Sequence, residues 1–231
     1  MNGLILIFIV FFILSFAVSS TLKRKFKKYS RIPLKNNLSG REIAELMLRD
    51  NGIHDVQVIS VRGQLTDHYN PLNKTVNLSE QIYNGRSAAA AAIASHECGH
   101  AVQHATAYNL LRLRSALVPI QNASGKILNF VMLMAILGGG FVLGGSWSSM
   151  LIVVIGCYLV LTLFSFVTLP VEFDASKRAL SWIDYRGIVT SQEHEMAKDA
   201  LKWAAMTYVV AALGSLVTLL YFLSIFLGGR N

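Results

Sequence analysis

Residues 88–100 read AAAAAIASHECGH and end in the pentapeptide His96-Glu97-Cys98-Gly99-His100. The alanines favour a helix, and imidazoles four residues apart on a helix project from one face, where they can bind a single zinc ion. Glu97 then lies beside the metal, and its carboxylate can take a proton from a metal-bound water. Gly99 is a poor helix former, so we expect it to let another element approach the metal closely. The pattern predicts a helical zinc-hydrolase site, and the alternative is a pair of surface histidines one turn apart.

The composition indicates a membrane protein. Of the 231 residues, 53% are hydrophobic and only 15% are charged, which is unusual for a soluble protein. A helix needs roughly 20 residues to cross a hydrocarbon core of about 30 Å. The apolar residues concentrate in four runs near that length, at residues 4–18, 127–143, 150–169 and 204–227. We therefore expect a mainly α-helical, polytopic membrane protein with about four transmembrane helices.

The distribution of positive charge predicts the topology. Of the 21 Lys and Arg residues, 14 lie between residues 21 and 115 and 5 lie between residues 171 and 203. Because basic residues mark cytoplasmic segments, both of these polar segments are expected in the cytoplasm and both termini outside. The first apolar run is followed, not preceded, by positive charge, so we interpret it as an uncleaved anchor. The basic excess is thus assigned to topology at the lipid bilayer and not to binding of nucleic acid.

The same boundaries divide the chain into five segments. They are a first transmembrane helix (residues 1–20), a cytoplasmic catalytic part with the motif helix (21–115), transmembrane helices two and three (116–170), a cytoplasmic segment (171–203), and a fourth transmembrane helix with the tail (204–231). Cys98 lies inside the motif and Cys157 lies within a span. No disulfide framework is expected, which is typical of a reducing compartment.

A small α+β cytoplasmic subdomain is expected to carry the motif helix. Ser39 and Glu42 have the spacing of a capping box, and an apolar stripe follows until Gly52. Residues 56–61, 64–69 and 75–78 favour strands, with a turn at Asn70-Pro71-Leu72-Asn73. An exposed strand edge can pair with an extended peptide and present the peptide's carbonyl to a metal. A purely structural role for these strands is the equal alternative.

Glu172 is the candidate third ligand. Catalytic zinc sites usually have three protein ligands and leave one position to water. Glu172 follows the third apolar run and Pro170, at an expected helix start on the same membrane face as the motif. A carboxylate there could instead interact with the helix N-terminus. His104 lies about 12 Å along the helix axis from His96, too far to share one ion, and His194 is a weaker candidate in the first turn of the last helix.

These residues resemble those of the YugP-like family of neutral zinc metallopeptidases, a group of small prokaryotic membrane proteins. The resemblance rests on the N-terminal anchor, on the motif segment at residues 95–103, and on two further stretches. These two stretches are residues 65–69 with 78–79, and residues 169–175. It implies a zincin-like subdomain and a zinc-dependent, gluzincin-like metalloendopeptidase. It also implies that Zn²⁺ is held by His96, His100 and Glu172.

More distantly, the chain is similar to the HtpX and Ste24 membrane proteases. Their second motif is Glu-x-x-x-Asp, in which the Glu binds zinc and the Asp supports a zinc-bound histidine. In this chain the pattern begins at Glu172 but places Ser176 at the Asp position, while Asp174 lies two residues earlier. The sequence therefore does not decide whether Ser176 or Asp174 supports the zinc-bound histidine.

We therefore expect a multi-pass zinc metallopeptidase of the prokaryotic inner (plasma) membrane, with its active site on the cytoplasmic side. Glu97 is expected to be the general base, acting on a peptide or membrane-protein substrate. Candidate donors for the oxyanion are His68, Tyr69 and His194. Cleavage inside the bilayer is disfavoured because it would bury the polar motif in hydrocarbon. The alternative function is a non-catalytic zinc-binding membrane scaffold, and the sequence indicates no oligomeric state.

Overall fold

The computed structural model describes residues 2–136 and 147–228. Within these ranges the chain is mainly helical with one small sheet, as expected. The elements in chain order are α1 (Asn2–Tyr29), α2 (Gly40–Asp50), β1 (Gln57–Val61), β2 (His68–Asn70), β3 (Thr75–Ser79), α3 (Glu80–Tyr83), α4 (Ala88–Ala105), α5 (Asn109–Ile136), α6 (Trp147–Tyr185) and α7 (Ser191–Gly228).

Three helices in the described ranges are long and apolar enough to cross a membrane. They are Gly3–Tyr29, Ser149–Tyr185 and Ser191–Gly228, and they contain the first, third and fourth expected runs. The second expected run, residues 127–143, begins in α5 and ends outside the described residues. Four transmembrane helices therefore stay a prediction.

The chain forms two compact units. The first comprises Met1–Phe16, Leu113–Leu169 and Tyr208–Asn231, and the second comprises Ala17–Arg112 and Pro170–Thr207. In the first unit, apolar side chains such as Phe8 and Phe12 are exposed on the helix surface, as expected for a lipid-facing helix. The second unit contains the sheet, the motif helix and most of the charged residues.

The sheet of the second unit has the strand order β1-β3-β2. β1 is parallel to β3, and β2 is antiparallel to β3 with Tyr69 opposite Val76. Val76 and Leu78 on β3 are fully buried. Residues 71–74 form the turn between β2 and β3, which confirms the turn predicted from Asn70-Pro71-Leu72-Asn73. Because β2 lies at one end of the strand order, it is an edge strand.

Helix α4 lies in the core of the second unit. Its first five residues, the alanines 88–92, are fully buried, because methyl side chains allow neighbouring backbones to approach closely. Ser87 caps the helix by accepting a hydrogen bond from Ala90 N. α4 packs against α2, whose Ile43 and Met47 face the core. A capping box at Ser39 and Glu42 begins α2, as the sequence predicts.

The prediction that a helix begins at Glu172 is wrong. α6 continues through Pro170 as one helix, so Glu172 lies in its interior. A proline inside a helix removes one hydrogen bond and costs about 3 kcal/mol. Four fully buried side chains at four-residue spacing offset this by packing in the second unit, namely Val171, Ala175, Ala179 and Ile183. The helix therefore continues past the proline and carries Glu172 within this buried stretch.

Candidate metal centre

The structure brings His96, His100 and Glu172 together. One ligand atom from each lies within 4.8 Å of the other two. Glu172 Oε2 is 3.3 Å from His96 Nε2 and 3.6 Å from His100 Nε2. Glu172 is only 4% exposed, so its carboxylate is not at the solvent surface. Two imidazole nitrogens and one carboxylate oxygen are a donor set of catalytic zinc sites, with a fourth position left for water.

The hydrogen bonds of Gln103 determine which nitrogen of His100 faces the cluster. Gln103 is fully buried, and its Nε2 donates to the Val171 carbonyl at 2.8 Å and to Asp174 Oδ2 at 2.8 Å. Its Oε1 must therefore be the atom 3.0 Å from His100 Nδ1, and Nδ1 must carry the hydrogen. In the neutral imidazole this leaves the lone pair on His100 Nε2, the nitrogen that lies 3.6 Å from Glu172 Oε2 in the cluster.

His96 is oriented by Ser176. The hydroxyl Oγ of Ser176 lies 3.2 Å from His96 Nδ1, which leaves Nε2 for the cluster. Ser176 thus takes the position at which the Glu-x-x-x-Asp pattern places a carboxylate. Asp174 has a different role, because it contacts Gln103 and forms an ion pair with Arg178 at 2.6 Å. Ser176 therefore contacts His96 directly. Asp174 contacts the Gln103 amide, which in turn contacts His100.

Gly99 lies at the contact between α4 and α6. A Cβ atom built on Gly99 would lie 2.6 Å from the Ala175 carbonyl oxygen and 3.2 Å from its Cα. Real Cβ atoms do not approach backbone this closely, so glycine is required for the two helices to be this near each other. The prediction that Gly99 lets another element approach closely is confirmed, and that element is α6.

Glu97 is buried beside the three candidate ligands and is 8% exposed. The backbone N–H of Tyr69 on β2 donates to its Oε2 at 3.0 Å. Burial raises the pKa of the Glu97 carboxyl above its usual value, which outweighs the opposing effect of His96 and His100. A carboxylate with a raised pKa is a stronger proton acceptor than an exposed one.

The other candidate residues lie outside the cluster. Cys98 points into the core, where its Sγ contacts the Ala44 carbonyl at 3.5 Å and burial raises the pKa of the thiol well above its usual value. His104 Nδ1 hydrogen bonds with the Tyr69 hydroxyl at 2.8 Å. His68 Nδ1 is 2.8 Å from the Thr66 carbonyl, and His194 Nδ1 is 3.9 Å from Glu195.

Sequence reasoning missed Gln103 and the backbone contact of Tyr69. Gln103 had a usable signal, because it lies three residues after His100 and residues at this spacing share a helix face. No sequence pattern indicates the contact between Tyr69 N and Glu97, because this contact depends on how β2 packs against α4.

Comparison with known proteins gives two matches. The family described as "Putative neutral zinc metallopeptidase" matches residues 4–227. A protein of Bacillus subtilis (strain 168) named "Putative membrane protease YugP" is 41% identical over 220 residues, which is 94% of this chain and 94% of that protein. No solved structure matches the chain.

Proposed function

Because the chain belongs to the family of putative neutral zinc metallopeptidases, we propose that it is a membrane-embedded metallopeptidase that hydrolyses peptide bonds at the cytoplasmic membrane surface. The observation that carries this proposal is the placement of the Glu97 carboxylate beside the cluster of His96, His100 and Glu172. A zinc-binding scaffold would need only the three ligands. The additional buried carboxylate, restrained by Tyr69 N, favours hydrolysis.

Each residue of the site has a distinct role in this mechanism. His96, His100 and Glu172 would hold the zinc ion, which would supply Lewis-acid chemistry for the scissile carbonyl and for a water molecule. Glu97 would accept a proton from the water molecule as the water oxygen bonds to the carbonyl carbon. When the C–N bond breaks, Glu97 returns that proton to the leaving amine.

The substrate is proposed to lie along the edge strand β2. Edge strands pair with extended peptides through main-chain hydrogen bonds. β2 is the edge strand that contacts Glu97, so a peptide paired with it would pass close to the cluster. Of the three candidate oxyanion donors, His68 and Tyr69 lie on this strand, whereas His194 lies on α7. The substrate class is a peptide or membrane protein.

A proteolysis assay on the purified full-length chain tests the proposal. The protein is loaded with zinc in detergent and incubated with unfolded casein, as wild type, as Glu97→Gln and after chelator treatment. Wild type should cleave, whereas the chelated protein should not. Glu97→Gln should lower the rate by about 10²–10⁴-fold and keep near one zinc per chain, since the amide cannot accept the proton. A fully active Glu97→Gln protein would exclude the mechanism, and zinc binding without cleavage by wild type would favour the scaffold.

A further inference from the structure

The net positive charge of this chain is confined to its first 41 residues. This segment contains eight Lys and Arg residues and no acidic residue, since Glu42 is the first acid in the sequence. The rest of the chain contains the other 13 Lys and Arg residues and all 13 Asp and Glu residues. It is therefore neutral in sum, and the whole formal charge of +8 belongs to the N-terminal segment.

Five of these cations form one exposed surface at the end of α1, which we call the basic face. At 3.6 residues per turn, the four within the helix lie in an arc of about 140°. In the described ranges, 2–136 and 147–228, none of the five forms an ion pair with a carboxylate. The residues of the basic face are Lys23, Arg24, Lys27, Lys28 and Arg31.

The opposite side of α1 is attached to α7 and fixes the direction of the basic face. Asp199 accepts a hydrogen bond from the Tyr29 hydroxyl at 2.5 Å and forms an ion pair with Lys25 Nζ at 2.8 Å. Lys25 therefore differs from its five basic neighbours, because its charge is compensated within the protein. The five residues of the basic face have no carboxylate partner among the described residues, so their charges are available to an external anionic surface.

We propose that the basic face binds the headgroups of anionic phospholipids. It begins five residues after the apolar run 4–18, and the headgroup layer of a leaflet extends about 5–7 Å beyond the hydrocarbon. One helical residue advances 1.5 Å, so Lys23 and Arg24 fall within or close to that layer. Lys27 and Lys28 lie farther along the helix, but their long, flexible side chains can extend back toward the headgroups. Each basic residue at an anionic surface raises affinity on the order of fivefold.

The lipid contact acts on the part of the protein that carries the metal cluster. Lys23 to Arg31 belong to the same compact unit as His96, His100 and Glu172. Binding of anionic headgroups by the basic face therefore holds this unit at the bilayer surface. Lipid binding by the basic face depends on these charges and on the contacts of Asp199, and it does not require that the chain hydrolyses peptides.

Native mass spectrometry of the full-length chain in neutral detergent measures this preference directly. Phosphatidylglycerol and phosphatidylcholine with identical acyl chains are titrated in parallel. The test variant changes the five residues of the basic face to Gln. The matched control removes five exposed charges elsewhere, through Arg49→Gln, Arg62→Gln, Lys74→Gln, Lys177→Gln and Lys198→Gln. A third protein, with Lys23→Arg, Lys27→Arg and Lys28→Arg, keeps the charge of the face.

The wild type, the control and the Arg variant should retain phosphatidylglycerol over phosphatidylcholine, and the Gln variant should lose at least about tenfold of that preference. If five substitutions prevent folding, the pair Lys27→Gln and Lys28→Gln should lose a smaller part of it. Raising the salt concentration should weaken the preference of the wild type, because charge contacts at an exposed surface are screened. Equal retention of the two lipids by wild type, or equal losses in the Gln variant and the control, would overturn the proposal.

Discussion

Gly99 lies directly against the backbone of Ala175, so closely that no larger residue fits there. On either side of Ala175, at distances of three residues and one residue, are Glu172, a candidate ligand, and Ser176, the partner of His96. The contact therefore sets the distance between the helix that supplies the histidines and the helix that supplies the carboxylate.

Gly99→Ala should separate the two helices. The added Cβ would overlap the Ala175 carbonyl, and overpacking of this kind costs about 1–3 kcal/mol. We expect a lower melting temperature in detergent and a lower zinc affinity than in the wild type. Gly125→Ala is the matched control, since a Cβ there meets no atom within 4 Å and alanine favours the helix. Equal zinc affinity in the two variants would show that the contact does not set the ligand geometry.

Glu172→Ala should lower zinc affinity together with activity. The motif supplies two ligands, and a catalytic tetrahedral site needs a third that leaves water its place. His104→Ala and His194→Ala are the comparison variants, because these histidines contact Tyr69 and Glu195 and lie outside the cluster. They should keep stoichiometric zinc. In a metal-bound crystal structure the Glu172 carboxylate should lie about 2.0–2.2 Å from zinc, and a histidine nitrogen in its place would refute the assignment.

Ser176→Ala should weaken zinc binding without removing any ligand. The Ser176 hydroxyl contacts His96 Nδ1, and loss of such a partner typically lowers metal affinity or activity by about 10–100-fold. Ser165→Ala is a suitable control, since that hydroxyl donates to the Leu161 carbonyl of its own helix. Isothermal titration with zinc compares the two. Unchanged affinity in Ser176→Ala would mean that His96 is oriented by other contacts.

Tyr69→Phe should lower activity a few-fold and leave zinc binding unchanged. The hydroxyl of Tyr69 is attached to His104, while its backbone N–H holds Glu97, so both ends of the residue contact α4. Loss of one neutral hydrogen bond is worth about 0.5–1.5 kcal/mol. Tyr185→Phe is the matched control, because the Tyr185 side chain is exposed and lies outside the cluster. If the rate constant for cleavage is unaffected by Tyr69→Phe, the hydroxyl does not help to position Glu97.

Cysteine labelling in intact cells should give both termini outside and residues 21–115 in the cytoplasm. The expectation rests on the 14 Lys and Arg residues of that segment. A cysteine at Ser148 should react with a membrane-impermeant reagent, and a cysteine at Gln64 should be protected. The reverse pattern would invert the orientation and place the metal cluster outside.

Patterns within a few residues predicted the local structure well. The capping box at Ser39 spans only four residues of sequence, and it is present. The spacing of His96 and His100 is equally local. The hydrogen bond between Ser176 and His96 joins residues 80 positions apart and depends on the packing of α4 against α6. Helix α6 passes through Pro170 for the same reason, since buried contacts outweigh the local preference for a break.

The division of the cluster between α4 and α6 has a consequence for synthesis of the chain. Glu172 is translated 72 residues after His100. At about 5–20 residues per second, this interval lasts roughly 4–14 s. During this interval the nascent protein has the complete pentapeptide but lacks both Glu172, the candidate third ligand, and the Ser176 hydroxyl that contacts His96. A product that terminates before residue 171 keeps the motif and lacks the site, so the cluster assembles only after most of the chain has been made.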